Sequence, residues 1–207
     1  MLEVKGIKLT YGDGMQTAEL SLIAEDGQML CLTSASNDLP SRVLKVFLGL
    51  EAVASGFVSI EGELLTPSSA KEFRKGMVYL PEGTQMPCNT MKETVMLMAG
   101  MQANMQSNIM PADVAEQMKR LGLPDDLLTT PQEKLAPQEE RLMMIALMGV
   151  WRKKTILVDN PTRGLDGAAA QSVAHYLRNL ADDGATVVVA TDDINVIRLA
   201  HGTISLG

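Results

Sequence analysis

The sequence predicts an α/β fold in which helices cover both faces of a mostly parallel sheet. Short, continuous apolar runs at residues 29–33, 156–158 and 186–190 are typical of strands that are buried on both faces. Apolar residues at helical spacing follow each of these runs. Strands that alternate with helices in this way form parallel β–α–β units, and 207 residues are enough to bury a large core.

The first part of the chain predicts an antiparallel β subdomain. Apolar and polar residues alternate over residues 2–9, and residues 20–24 form a second extended segment that ends at a hairpin-type turn. Further strands are expected at residues 57–60, before a turn, and at residues 77–80, before a proline. We therefore expect the fold to open with antiparallel strands.

Between about residues 90 and 132 the strand pattern gives way to a helical one. Eight of the 15 methionines fall between Met86 and Met118, and Met98, Met101 and Met105 share one helical face. Because methionine is flexible, this cluster either fills an irregular core or forms an adaptable docking surface for a partner helix. We predict a single domain over residues 1–207, with a core at 1–85 and 136–207 and an inserted helical subdomain at about 86–135.

Composition and charge limit the classes of function. The net charge is −7 and the 18 basic residues are scattered, so nucleic-acid binding is not expected. The sequence contains no run of eighteen uncharged apolar residues, and its first residues lack the apolar centre of a signal peptide. Cys31 and Cys88 show no metal-ligand spacing, which favours two reduced thiols in a cytoplasmic protein.

The segment from residue 27 to residue 50 has the layout of a phosphate-binding unit, namely a buried strand, a polar loop and a helix. Together with the other motifs, the order of elements resembles the nucleotide-binding domain of an ATP-binding cassette (ABC) transporter over the whole chain. The most specific match is ILVDNPTRGLDGAAA at residues 156–170, which resembles the family's Walker B strand, catalytic position and D-loop. The remaining matches are YGDG (11–14), GQMLCLTSASNDLPSRVLKVFLGL (27–50), VYLPEGTQMP (78–87), LAPQEERLMMIAL (135–147) and VVVATDDINVIRLA (187–200).

The resemblance implies a P-loop NTPase-like ABC cassette and places the family's ATP and Mg²⁺ sites in this chain. Tyr11 falls at the position that stacks on adenine, and Ser41 and Asp159 fall at the Mg²⁺ positions. The predicted nucleotide-site residues, which we regard as vestigial, are Tyr11, Ser34, Asn37, Ser41 and Arg42.

The phosphate-binding loop departs from the family pattern. A working loop needs glycines, whose N–H groups cradle the phosphates, and a lysine that meets the β- and γ-phosphates. The lysine position holds Pro40, and the glycine positions hold Ser34, Asn37 and Leu39. Asp38 adds a negative charge, and repulsion at about 4 Å and an effective dielectric constant near 20 is on the order of 4 kcal/mol.

The catalytic positions depart in the same direction. Asn160 stands at the position of the catalytic glutamate, and an amide cannot act as a general base. Glu82 stands at the Q-loop glutamine and Asp192 at the switch histidine. The signature sequence, LSGGQ in the family, reads LAPQE at residues 135–139, so the chain is expected to serve a partner's ATP as poorly as its own.

Two helix starts at these sites have each gained a proline and an acidic residue. Asp38 accompanies Pro40, and Pro137 precedes Glu139 and Glu140. Proline lacks an N–H donor and a carboxylate can cap a helix start, so we expect these helices to be satisfied without a bound phosphate. The alternative is neutral change after loss of function.

The resemblance also implies a cassette dimer, either with a second copy or with an active cassette. The turn Pro161–Asp166 lies at the dimer interface in the family, although a helix cap by Asp166 explains the same residues without a dimer. The residues expected at the interface are Ala136, Pro137, Gln138, Gly164, Leu165 and Asp166.

The sequence thus predicts a catalytically degenerate ABC subunit, a pseudo-ATPase that needs no cofactor, with a vestigial ATP and Mg²⁺ site. It is expected in the cytoplasm, peripheral at the inner face of the cell membrane, beneath a membrane permease. The alternatives are a divergent ATPase that hydrolyses slowly in a composite dimer site, and a soluble scaffold without a transporter. The transported substrate and the direction of transport are not encoded in these motifs.

Overall fold

The computed structural model describes residues 1–11, 14–35, 38–101, 104 and 108–206. The predicted site residue Asn37 and the methionine Met105 lie outside these described residues. The strands are β1 (Leu2–Lys8), β2 (Leu20–Ala24), β3 (Met29–Ser34), β4 (Ser55–Ile60), β5 (Glu63–Leu64), β6 (Met77–Leu80), β7 (Thr155–Asp159), β8 (Thr186–Ala190) and β9 (Gly202–Leu206). The helices are α1 (Leu39–Phe47), α2 (Ala70–Phe73), α3 (Met91–Ala99), α4 (Pro111–Arg120), α5 (Pro137–Val150), α6 (Gly167–Asp182) and α7 (Ile194–Leu199).

The main sheet is parallel, with strand order β6-β7-β8-β3-β9. Its central strands β7 and β8 are buried at every residue, which is the burial that their continuous apolar runs predict. A second, antiparallel sheet has the order β2-β1-β4-β5. The predicted combination of a mostly parallel sheet with an antiparallel N-terminal part is confirmed.

Two apolar clusters hold the layers together. One joins α3, α4, α5 and α6 to one face of the parallel sheet, and the other joins α1 and the antiparallel sheet to the opposite face. Met91 and Met118 are fully buried in the first cluster, as the core interpretation of the methionines between Met86 and Met118 requires. Met96, Met101 and Met110 remain exposed, so the methionines serve both as core and as surface.

The structure defines the start of α5 and the parts of the predicted helical segment. Helix α5 begins at Pro137, where the proline and the acidic residues after it predict a helix start. In the described part of the helical segment lie α3 and α4, followed by 3-10 turns at Asp125–Thr129 and Gln132–Lys134. A carboxylate of Glu93 and the hydroxyl of Thr90 form a reciprocal capping box at the start of α3.

The two cysteines lie in different surroundings. Cys31 is fully buried in β3, between β8 and β9, and burial raises the pKa of its thiol to about 12. Cys88 is partly buried in the loop before α3. Neither forms a disulfide, in agreement with the two free thiols that the sequence predicts.

Candidate functional site

The carboxyl ends of three parallel strands bring the predicted catalytic positions to one edge of the sheet. Asp159 ends β7, Glu82 follows β6 and Asp192 follows β8. Because neighbouring parallel strands end at the same edge, residues far apart in sequence meet there. Ser41 joins them from the first turn of α1.

Asp159 is a buried carboxylate that accepts hydrogen bonds from two hydroxyl groups. Ser41 Oγ donates to its Oδ1 at 2.8 Å, and the hydroxyl of Tyr79 donates to its Oδ2 at 3.5 Å. Burial raises the pKa of Asp159 above its ordinary value; the bond from Ser41 opposes the rise and the charge of Glu82 adds to it. Burial, with the charge of Asp159, also raises the pKa of Tyr79 to about 12.

Asn160, Glu82 and Arg163 form a network beside Asp159. Asn160 Nδ2 donates to Glu82 Oε2 at 2.7 Å, and the guanidinium of Arg163 forms an ion pair with the same carboxylate. The backbone of Asn160 is left-handed, with φ of 44°, and its N–H donates to the carbonyl of Ala190 at 2.8 Å. Asparagine tolerates this conformation better than most residues, which suits an amide rather than a glutamate at this position.

A buried arginine, Arg141, binds the backbone of the turn after β7. The guanidinium of Arg141, on α5, donates to the carbonyls of Asp159 at 3.1 Å and Asn160 at 3.2 Å. It also reaches the carbonyls of Pro161 and Pro81. Burial lowers the pKa of Arg141, and the charges of Glu82 and Asp159 oppose that shift, so the group stays protonated at neutral pH.

Tyr11 and Arg42, predicted at the nucleotide site, contact each other. The guanidinium of Arg42 lies 5.6 Å from the centre of the Tyr11 ring. Arg42 also donates to Glu51 Oε1 and to the carbonyl of Thr10, both at 2.7 Å. The positive charge of Arg42 is therefore paired with Glu51 within the chain.

A small cavity lies beside the end of β3 and the start of α1. This cavity has a volume of about 120 Å³ and is lined by Ser34, Pro40, Asn160, Thr162, Arg163, Ala190, Thr191 and Asp192. Pro40 is buried at the second position of α1. This position therefore carries no positive charge, whereas the family has a lysine there. The cavity thus combines the acid Asp192 with Arg163, an arginine that pairs with Glu82.

The two helix starts differ in how they are satisfied. At α5, Glu139 Oε2 accepts from the N–H of Ala136 at 2.8 Å, so the expected carboxylate cap is confirmed there. At α1, the expected capping hydrogen bond is not formed, because the side chain of Asp38 makes no cap contact within the described residues; its expected electrostatic effect on the helix end stays a prediction. Asp38 itself has helical backbone angles, whereas capping residues are usually extended.

Gln138 and Asp166, both predicted at a dimer interface, bind each other within the chain. Gln138 Nε2 donates to Asp166 Oδ2, and the N–H of Asp166 donates to Gln138 Oε1, both at 3.0 Å. The other carboxylate oxygen of Asp166 caps α6 by accepting from the N–H of Ala169 at 2.8 Å. That backbone bond, followed by the one from Gln138, holds the pKa of Asp166 below its usual value.

The neighbouring interface candidates lie on the same surface. Ala136, Pro137 and Gly164 are exposed, and Leu165 is partly buried. Leu165 packs against the larger apolar cluster, and Gly164 has φ of 79°, which suits glycine. The surface is continuous with a groove of about 270 Å³ that Glu82, Glu140 and Arg163 border.

The described residues show neither a metal-binding cluster nor a membrane-spanning helix. Those residues contain no group of three or more His, Cys, Asp or Glu side chains that could hold a metal ion. None of the helices in the described ranges is long and apolar enough to cross a bilayer.

The sequence also matches a family model. The model of the ABC transporter family matches residues 20–163, which is more than two thirds of the chain. The chain belongs to the ABC transporter family. The match includes β3, α1, α5, β7 and the first residues of the turn after β7.

Curated ABC relatives align over nearly the whole chain at low identity. The energy-coupling factor transporter ATP-binding protein EcfA of Methanosphaera stadtmanae is 24% identical, over 96% of this chain and 73% of its own length. The lipoprotein-releasing system ATP-binding protein LolD of Shewanella denitrificans is 27% identical, over 95% and 88%. The macrolide export ATP-binding/permease protein MacB of Mannheimia succiniciproducens is 26% identical over the full chain, which spans 33% of that relative.

Solved structures confirm the ABC cassette fold. The ATP-binding subunit of an ABC transporter superposes with a TM-score of 0.82 at 20% identity, over 100% of this chain and 85% of that one. The dimeric structure of MJ0796, a bacterial ABC transporter cassette, superposes with a TM-score of 0.80 at 23% identity, over 100% and 94%.

Three residues of this ABC site were not singled out from the sequence. Tyr79 contacts Asp159, which is 80 residues away in the sequence, and Arg163 contacts Glu82, which is 81 residues away. Arg141 contacts residues that are 18 to 60 positions away. Of these three, only Arg141 could have been noticed in the sequence, because it precedes the apolar part of a helix. A cation that becomes buried there needs several hydrogen-bond acceptors nearby. Tyr79 and Arg163 carried no comparable signal.

Proposed function

We propose that the chain is a catalytically degenerate ABC subunit, a pseudo-ATPase that docks on a membrane permease and supports transporter assembly or regulation. The hydrogen-bonded network of Asn160, Glu82 and Arg163 carries this proposal. At the position of the catalytic base it holds an amide, and this amide donates to a carboxylate rather than accepting a proton.

Charge at the phosphate position supports the same proposal. Pro40 replaces the lysine and also lacks an N–H group that a phosphate could use. The nearby cation Arg163 pairs with Glu82, and Arg42 pairs with Glu51. A triphosphate would therefore have to compete with two carboxylates for positive charge.

One observation favours the alternative of a divergent ATPase. Ser41 Oγ and the carboxylate of Asp159 lie 2.8 Å apart, and hydroxyl and carboxylate oxygens are suitable Mg²⁺ ligands. In this alternative the chain binds ATP with Mg²⁺ and hydrolyses it slowly in a composite site. The two functions differ in nucleotide affinity and in turnover.

Calorimetric titration with ATP, with and without Mg²⁺, tests the proposal. We expect no saturable binding at micromolar nucleotide and no phosphate release above the buffer rate. Saturable, Mg²⁺-dependent binding with turnover would contradict the proposal. In that case Asp159→Ala must abolish the turnover, since a contaminating ATPase would be insensitive to this change.

The proposed partners are a permease and a second cassette, with the chain at the cytoplasmic face of the membrane. Exposed apolar side chains on and beside α3, namely Met96, Leu97 and Met101, support a docking surface there. Copurification from detergent-solubilised membranes, with light scattering for the dimer, tests the assembly. Met96→Glu should release the chain from the permease, whereas Leu50→Glu, at an equally exposed leucine on another face, should not.

A further inference from the structure

A basic cleft lies at the end of the sheet opposite the candidate nucleotide site. It has a volume of about 410 Å³ and opens where helices α4, α5 and α6 end and where β7 and β8 begin. Four basic side chains and one acidic side chain border it, a formal charge of +3 on a chain of net charge −7. These residues are Arg120, Arg152, Lys153, Lys154 and Asp183.

The positive charge of the cleft is only partly neutralised. Arg120 lies 3.7 Å from the carboxylate of Asp183, and Lys154 acts on the more distant Asp26. Within the described part of the chain, the side chains of Arg152 and Lys153 have no ion pair and no hydrogen bond. Two cations are thus available to an incoming anion.

The backbone of Arg152 provides an independent observation. Arg152 has φ of 46°, immediately beyond the end of α5. The equivalent left-handed residues beyond α1, α4 and α6 are Gly49, Gly122 and Gly184. Glycine is the favoured residue there, because other side chains crowd the backbone in this conformation. An arginine at such a position costs stability, which points to a use for its side chain.

The dimensions and lining of the cleft indicate the type of ligand. Its volume falls within the roughly 300–1,000 Å³ of small-molecule sites. Ile156, Leu180 and Ala185 contribute apolar surface beside the cations. A guanidinium pairs with phosphate through two parallel hydrogen bonds, and lysines add point charge. The arrangement fits a phosphate group attached to an apolar body.

The same cations could simply offset the negative ends of α5 and α6, neither of which has a basic residue in its last turn. The two roles differ in one consequence. If Arg152 serves the helix end, replacement by glycine destabilises the fold. If it serves a ligand, glycine relieves the backbone and the fold is at least as stable.

We propose that this cleft binds a phosphate-bearing organic anion, either free or as a lipid headgroup. The anion joins Arg120 on α4 to Arg152 and Lys153 after α5, so it fastens the helical segment to the sheet. This site is separate from the candidate nucleotide site and does not depend on the function proposed above.

Titration of the full chain with sodium pyrophosphate tests the proposal. We expect saturable binding and a rise in melting temperature with pyrophosphate. Arg152→Gly should weaken binding about tenfold or more, which corresponds to about 1.4 kcal/mol, without lowering the melting temperature of the free protein. Lys71→Ala, which removes an exposed cation on α2, should leave binding unchanged.

Flotation with vesicles separates the two sources of phosphate. Binding to phosphatidylglycerol vesicles but not to phosphatidylcholine vesicles, with loss in Arg152→Gly and competition by pyrophosphate, assigns the cleft to a lipid headgroup. Pyrophosphate binding without flotation assigns it to a free anion. The proposal is overturned if neither probe binds, if Arg152→Gly binds like the wild type, or if Lys71→Ala weakens binding equally.

Discussion

At the scale of single residues, Asp159 defines the electrostatics of the candidate site. Only 4% of the residue is exposed, and the side chains that donate hydrogen bonds to it, the hydroxyls of Ser41 and Tyr79 and the amide of Asn160, are all neutral. The nearest buried cation, Arg141, is bound to backbone carbonyls instead. The carboxylate therefore loses more hydration than its partners replace, and this raises its pKa above the ordinary value.

Asp159→Asn should stabilise the protein at neutral pH. Because the folded pKa is raised, the folded state binds the proton more tightly, and stability falls as pH rises from the unfolded pKa through the folded one. The ionised carboxylate of Asp159 therefore destabilises the folded state at pH 7. A gain of about 1 kcal/mol raises the melting temperature by about 2–4 °C, and the gain shrinks in acid. Thermal denaturation over a pH series measures it.

Asp166→Ala is the control, since the pKa of Asp166 is shifted in the direction opposite to that of Asp159. The pKa of Asp166 is lowered, so its stabilising effect is present above the unfolded pKa and disappears as pH falls through the folded pKa. This variant should melt below the wild type at neutral pH and match it in acid. Parallel curves for the two variants would contradict the assignment of Asp159 as a destabilising charge.

At the scale of elements, α5 organises the turn after β7. Its first turn is capped by Glu139, and one turn later Arg141 gathers carbonyl groups from the ends of β6 and β7. Glu140 extends the same support by accepting from the N–H of Met86 and from Gln132 Nε2, both at 2.8 Å. A single helix start thus connects the sheet edge to the helical segment.

Removal of the Arg141 guanidinium should be costly. Arg141→Ala leaves several carbonyls without a donor, and we expect a loss of about 2–5 kcal/mol in the free energy of unfolding. Arg141→Lys should be intermediate, since an ammonium cannot reproduce the planar fork of donors. Urea denaturation measures both.

Arg163→Ala tests whether burial decides the cost. Arg163 is two-thirds exposed and pairs with Glu82 at the surface, so its loss should cost less than about 1 kcal/mol. Equal losses for Arg141→Ala and Arg163→Ala would show that the four carbonyl contacts contribute little.

At the scale of the whole molecule, three helices meet through one close contact. The hydroxyl of Tyr176, on α6, donates to Gln117 Oε1, on α4, at 2.9 Å. Gly149, on α5, leaves room for that hydroxyl, since a methyl group there would lie 2.0 Å from it. The guanidinium of Arg120 lies over the ring, 5.4 Å from its centre. The helical segment is therefore anchored to the sheet-covering helices at a point that tolerates no added atom.

Gly149→Ala should destabilise the protein although alanine is the better helix former. The clash with Tyr176 outweighs a helix-propensity gain of about 1 kcal/mol, and we expect a net loss of about 1–3 kcal/mol. Differential scanning calorimetry measures the change in melting temperature. Tyr176→Phe in the same background should recover only part of the loss, because the ring carbon Cζ still lies 2.9 Å from the new methyl group.

Gly167→Ala is the matched control. Gly167 opens α6 with ordinary backbone angles, and among the described residues an added methyl there meets no heavy atom within 4 Å apart from its chain neighbours. Its melting temperature should be unchanged or higher. A loss as large as that of Gly149→Ala would point to a general helix effect rather than to the Tyr176 contact.

The sequence allowed the strands to be predicted better than the contacts between them. The runs in β3, β7 and β8 were informative because strands buried on both faces must be apolar throughout. The start of α5 could be predicted because Pro137 and the acidic residues after it are typical of a capped helix start. Interactions such as those of Tyr79 with Asp159 depend on which strands become neighbours, which local pattern does not specify.

The two thiols give the native chain a built-in reporter of its own motions. A maleimide can reach the partly exposed Cys88 when only the loop before α3 moves. Cys31 lies between two neighbouring strands and is protonated at neutral pH, so it reacts only when the parallel sheet opens. The ratio of the two labelling rates therefore separates local loosening of the helical segment from opening of the cassette core.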